Sequence, residues 1–240
     1  MGGSDSGPVG ARFFFRRALK LDRHVGFLDF GYLKAAAAHR LGTRITDLTP
    51  EPQGCVQWLQ ELGLGLPGSS NFLRVYWYDG AYDSRHAKHE AQRRFFDRIA
   101  KTPGVQLRLG HIQVRTPKWQ YPVKAALRKV GVDLDEFEAH FQFRPELGQK
   151  GVDTLIALDL VRLAQRHVFD TAVLIAGDRD LAEPVRVAQD EGRRVIVAIP
   201  EEGGIATELA QLADEVRHIG EDVLRKMFTD TEPSEPEPGS

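Results

Sequence analysis

Residues 153–200 read DTLIALDLVRLAQRHVFDTAVLIAGDRDLAEPVRVAQDEGRRVIVAIP, and their rhythm decides the fold class. DTLIALDLVRLAQRH (153–167) is apolar nearly all round, as a crossover helix buried against a sheet would be. TAVLIAG (171–177) is an unbroken apolar run of strand length, LAEPVRVAQDEG is helical again, and RRVIVAIP (193–200) is a second buried strand. Strands too apolar to alternate, separated by helices, belong to a parallel sheet covered on both faces.

Working outward, HVGFLDF (24–30) reads as the first buried strand and YLKAAAAHRLG as the helix after it, stopped at Gly42. FLRVYWY (72–78) is a strand rich in β-formers. The stretch 85–101 predicts a helix with Ala87, Ala91, Phe95 and Ile99 on its buried face and a basic remainder. VQLRLGHIQVR (105–115) alternates like a half-exposed strand, residues 204–213 suggest a short helix, and EVRHIG (215–220) an edge strand. Residues 116–149 break the rhythm with a small basic helix around Val123 to Val130 and a strand-like FEAHFQFR (137–144). The expected architecture is therefore α/β, an open parallel sheet with helices on both faces and an inserted helix-hairpin segment at about 116–146. Residues 1–20 are expected to form an N-terminal arm, 21–228 the domain, and the Pro/Glu/Ser-rich 229–240 a disordered acidic tail.

Composition limits the function classes. The chain has 240 residues, 42% apolar and 28% charged, with a formal net charge of −2. No apolar run approaches the roughly 20 residues of a membrane helix, so no membrane partner is expected. The single cysteine, Cys55, makes neither an internal disulfide nor a cysteine-based zinc site, and no signal peptide opens the sequence, so the cytoplasm is the expected compartment. The near-zero charge conceals an asymmetry: residues 71–150 carry 15 Lys and Arg against 9 Asp and Glu, and residues 151–220 carry 7 against 13.

Ligand sites of open α/β sheets lie beyond the carboxyl ends of the strands. Asp29 ends an apolar strand, Asp178 and Asp180 follow TAVLIAG, and Asp153 opens the crossover helix, so the topology should bring four carboxylates to one edge. Gathered like charges raise one another's pKa unless a cation neutralises them, and a hard divalent ion with oxygen ligands is the economical resolution. Plainer roles compete: Asp180 with Glu183 has capping-box spacing, and Asp153 could be a simple helix cap. Asp29 and Asp178 have no equally ready structural task. Asp159 lies six residues after Asp153, about 240° round the helix, and a buried salt bridge suits it better.

LDFGYL (28–33), LRVYWYDG (73–80), LRLG (107–110), QKGVDTLIALDL (149–160), AVLIAGDRDL (172–181) and EGRRVIVA (191–198) resemble, in order, the characteristic stretches of the NYN-domain family, the PIN-like ribonucleases related to LabA. The resemblance covers roughly residues 24–220, and 116–146 matches least. It implies a PIN-like sheet, Mg²⁺ or Mn²⁺ bound by aspartates, and hydrolysis of RNA phosphodiesters. Asp29 resembles the first-strand aspartate, Asp153 that of the K-G-V-D motif, and Asp178 and Asp180 the G-D-x-D pair; these four are the implied catalytic and metal-binding residues. Asp159 matches a commonly acidic supporting position, and Tyr32 stands where many relatives carry Asn.

RNA-binding candidates are Lys150, which matches the family lysine, and Arg93 and Arg94 on the basic helix. Lys118 and Trp119 join them in a stretch where aromatics interleave with cations. The expected activity is metal-dependent endoribonuclease action on single-stranded or structured RNA, with self-association into a homodimer left open. The alternative is an RNA-binding regulatory module of the same fold without catalysis, which Tyr32 favours. An aspartyl-phosphate phosphatase is set aside, because that chemistry needs a second aspartate two residues after the first and Gly31 stands there.

Overall fold

The computed structural model describes residues 22–66, 70–115, 121–133 and 146–230. The N-terminal arm, Lys118 and Trp119, the strand-like run 137–144 and residues 231–240 lie outside the described residues.

Among the described residues the main sheet has seven strands. They are β1 (Asp22–Asp29), β3 (Ser70–Ala81), β4 (Val105–Arg115), β5 (Glu146–Lys150), β6 (Thr171–Ile175), β7 (Arg194–Pro200) and β8 (Glu215–Ile219). Their order is β5-β4-β3-β1-β6-β7-β8, and every pairing is parallel except β4 with β5. A short second sheet pairs β2 (Leu48–Pro50) antiparallel with β9 (Phe228–Asp230), so Thr229 and Asp230 belong to a strand rather than to a tail. The helices are α1 (Phe30–Leu41), α2 (Pro52–Leu64), α3 (His89–Ala100), α4 (Tyr121–Lys129), α5 (Val152–Gln165), α6 (Ala182–Asp190), α7 (Thr207–Leu212) and α8 (Glu221–Met227). The α/β expectation holds, with six parallel strands and helices on both faces.

Alternation along the central strands feeds two cores. Leu28 and Trp77 point to the face covered by α1, α2, α3 and α8, where Leu33, Leu59, Ile99 and Met227 are buried. Phe27, Tyr76 and Tyr78 point to the other face, against Ile156 and Leu160 of α5 and Val185 of α6. Each fully buried side chain of this size contributes on the order of 1.5–3 kcal/mol, which makes the pair of cores the main source of stability.

Three elements differ from expectation. The strand ends one residue early, because Asp29 caps α1 and Phe30 is already helical. Helix α3 begins at His89 rather than at 85, so Ala87 and Ala91 are exposed and Phe96 with Ile99 forms the buried face. Helix α2 has no counterpart in the sequence pattern, since Gly54 and Gly63 lower helix propensity. Both are imposed by contact: a Cβ on Gly54 would fall 2.0 Å from the carbonyl oxygen of Lys226, and one on Gly63 would fall 2.3 Å from Cε1 of His24.

Candidate active site

Strand order reverses at β1, with β3 and β4 to one side and β6 to β8 to the other, so the carboxyl end of β1 is the topological switch point of the sheet. Asp29 stands there. Its Oδ1 accepts the N–H of Tyr32 at 3.0 Å, which makes it the N-cap of α1. Burial pushes its carboxyl up to about 6, opposed by backbone N–H groups of Tyr32 and Gly31 and reinforced by the charges of Asp153 and Asp178.

The antiparallel β5 explains how Asp153 reaches the same edge. Lys150 pairs with His111, level with the end of β3, so the chain turns through Gly151 and starts α5 at the carboxyl edge. Gly151, not Asp153, is the N-cap of α5, and Asp153 is the second helical residue. Its carboxyl is raised above the ordinary range by burial and by Asp178 and Asp180. Lys150 is exposed at the end of β5.

Past β6, Asp178 caps a 3-10 turn (Arg179–Leu181), its Oδ1 accepting the N–H of Asp180 at 2.9 Å. The plain structural roles are therefore redistributed. Asp29 and Asp178, for which no such task was expected, are caps, whereas Asp153 and Asp180 are not. The four aspartates act on one another electrostatically, yet among the described residues no three His, Cys, Asp or Glu side chains stand close enough together to hold a metal ion.

Asp159 is buried on the α5 face of the sheet. It accepts hydrogen bonds from the Tyr78 hydroxyl at 3.0 Å, Nε of Arg108 at 3.1 Å and a terminal nitrogen of Arg162 at 2.6 Å. This is the buried ion pair expected of it, and it ties α5 to β3 and β4. Tyr32 packs its ring on Gly177, where a Cβ would fall 2.7 Å from Cε2. Its hydroxyl is buried without a hydrogen-bond partner, and burial, aided by Asp29, pushes its pKa up to about 12.

Arg93 is exposed and paired with Glu90 at 3.1 Å, and Arg94 is exposed. Their helix packs over β4, three strands from β6, a lateral separation of about 14 Å at ~4.8 Å per strand. Sequence reasoning missed a fifth carboxylate. Asp79 is 6% exposed at the carboxyl end of β3, its Oδ1 accepting the Gly80 N–H at 2.7 Å and its charge acting on half-buried Lys34. The signal was present: Asp79 ends an apolar run just as Asp29 does.

A parallel sheet of this order, with aspartates on its carboxyl edge, defines a PIN-like α/β domain. The NYN-domain model matches residues 75–220, and the chain belongs to the NYN-domain family. Uncharacterized protein y4oD of Sinorhizobium fredii is 39% identical over 85 residues, 34% of this chain and 40% of that protein. Uncharacterized protein MJ0482 of Methanocaldococcus jannaschii is 35% identical over 80 residues, 33% of each. The chain thus spans less than half the length of either relative. Among solved structures, a protein of unknown function, VPA0982 from Vibrio parahaemolyticus, superposes with a TM-score of 0.50 at 16% identity, covering 87% of this chain and 97% of that one, a likeness of fold. No described helix is long and apolar enough to cross a membrane.

Proposed function

We propose that the protein is a metal-dependent ribonuclease that hydrolyses RNA phosphodiester bonds, with Asp29, Asp153, Asp178 and Asp180 at its centre. The observation that carries this reading is the state of Asp29. A carboxyl at the switch point, buried and facing two other carboxylates so that its pKa is held near 6, is costly unless a cation shares the site. The donor set is all carboxylate oxygen, which suits Mg²⁺ or Mn²⁺. The side chains would have to draw closer than they stand to ligate such an ion.

When bound, the ion would polarise a phosphoryl oxygen and lower the pKa of water. The chain's own residues do the rest. The caps at Asp29 and Asp178 fix two carboxylates on rigid backbone, Lys150 offers a cation for a phosphate at the same edge, and the Asp159 network holds α5, and with it Asp153, against the sheet. In the test, purified protein is incubated with single-stranded RNA and Mn²⁺. Cleavage should be sensitive to EDTA and abolished in Asp178→Asn, which retains a capping acceptor. Cleavage that survives that change would reject the assignment.

A second reading, an RNA-binding regulatory module without catalysis, is favoured by the absence of a closed carboxylate group among the described residues and by Tyr32 packed at the edge. It requires RNA binding with a steep salt dependence, indifferent to EDTA and without product.

A further inference from the structure

Beside Asp29, on the α1 and α3 face, a groove of about 770 Å³ opens between the carboxyl ends of β1 and β3 and the short strand β2. Its volume falls within the roughly 300–1,000 Å³ typical of small-ligand sites. Phe30 and Phe95 form an aromatic floor, ring centroids 5.9 Å apart, and Phe30 is itself fixed against Trp77 at 4.7 Å. Lys34, Lys88 and Arg98 line it with Asp79 as the single carboxylate among the described residues of the lining, so that lining is cationic. Lys88 and Arg98 are exposed, whereas Lys34 is half-buried and interacts with buried Asp79. The wall is pre-formed. Gln92 spends its amide on backbone, donating to the Gly80 carbonyl at 2.8 Å and accepting the Tyr82 N–H at 2.8 Å, which pins α3 to the end of β3.

An aromatic floor, a half-buried cation in the same lining as a buried carboxylate, and cations at the rim match a nucleotide group by group. Aromatic side chains stack bases, a Lys–Asp pair meets the adjacent acceptor and donor that the pairing edge of every base presents, and exposed Lys and Arg meet phosphates. An acidic carboxylate-rich peptide would lack the flat apolar partner that the rings require, and a wholly apolar one would desolvate the cations Lys34, Lys88 and Arg98. We propose that this groove holds one nucleotide of the RNA strand next to the Asp29 edge, its base on Phe95, which buried Phe30 backs, and its flanking phosphates on Lys88 and Arg98. The proposal rests on the ribonuclease reading for the identity of the strand. It extends that reading by naming where the strand is gripped, on residues outside the aspartate set.

The test separates the two. Full-length protein carrying Asp178→Asn is titrated, in EDTA, into a short fluorescein-labelled single-stranded RNA, and anisotropy is followed across a salt series. Lys88→Ala with Arg98→Ala, both exposed positions that leave the core untouched, should weaken binding and flatten the slope of log K against log salt by about 1.4, at roughly 0.7 per lost phosphate contact. Phe95→Leu should weaken it about tenfold through lost stacking. Tyr82 and Phe95, the former stacked on His86 with ring centroids 4.1 Å apart, should be the residues that cross-link to RNA substituted with 4-thiouridine. Unchanged affinity and slope in the double variant, or cross-links confined to other faces, overturn the groove. So does a shift of the groove variants from dimer to monomer in sedimentation with RNA binding intact, since a second copy would then be the occupant. Asp178-dependent cleavage alongside unchanged binding in the groove variants rejects the groove alone. Groove-dependent binding without any Mn²⁺-dependent cleavage rejects the nuclease and leaves the groove standing.

Discussion

Replacing Asp29 by Asn isolates the electrostatic cost of the acidic edge. The carboxyl is raised from 3.8 to about 6, so the folded state binds a proton in a range where the unfolded chain has lost it. Stability therefore falls as pH rises through that window. At 1.36 kcal/mol per pKa unit the penalty approaches about 3 kcal/mol above pH 7 and shrinks to about 1 kcal/mol near pH 4.5. Asn retains an acceptor for the Tyr32 N–H and is as good an N-cap as Asp. The buried amide brings its own cost, but that cost does not vary with pH. The stability difference between variant and parent should thus grow by about 2 kcal/mol between pH 4.5 and 7.5, or about 4–8 °C in Tm for a domain of this size. Differential scanning fluorimetry in EDTA across that range reads it directly. Melting curves of the two proteins that run parallel with pH would refute the argument. With Mn²⁺ added at neutral pH the parent should gain stability through binding and Asp29→Asn should not.

Other expectations follow from single contacts. The Tyr32 hydroxyl is buried with nothing to bond, so Tyr32→Phe should raise stability by about 1 kcal/mol in urea unfolding, since a missing partner costs more than a missing hydroxyl. A loss of that size would mean the hydroxyl is used. His24 is fully buried between the Leu59 carbonyl at 2.8 Å and Ser70 Oγ at 3.0 Å, and burial lowers its pKa from 6.5. Its folded state resists the proton, so its contribution is complete above about pH 6.5 and declines in acid, opposite in sign to Asp29. His24→Gln in the Asp29→Asn background should flatten the fall in urea midpoint between pH 7 and pH 5, and an unchanged slope would count against a neutral buried ring.

The fold was largely legible, for a physical reason. Strands buried on both faces, such as TAVLI and RVIVAIP, have no solvent-facing register to encode and read as continuous apolar runs. What was illegible depended on distant contacts. Gly54 and Gly63 look like helix breakers until α8 and His24 are seen pressed against α2. The stretch ELGQK has no strand pattern of its own and forms β5 through antiparallel pairing with β4 at the sheet edge. For Asp159, helical geometry excludes the face of Asp153 and favours a buried ion pair, whereas its partners Tyr78 and Arg108 come from strands that the helix pattern does not specify.

The rule that identified Asp29 should have identified Asp79 as well. Both end strands that are apolar for several residues, both stand on the carboxyl edge, and β3 is the immediate neighbour of β1 with Asp29 in register with Tyr78. The two differ in company. Asp29 faces other carboxylates, which destabilise its charge, whereas Asp79 faces Lys34, which balances it. A carboxylate among like charges is relieved by a proton or by a cation from solution, and one beside a lysine has a counter-charge near it. On the proposed reading the edge divides into a portion for an ion and a portion for a ligand with donors and acceptors of its own, and the strand reversal at β1 sets Asp29 at the boundary between them.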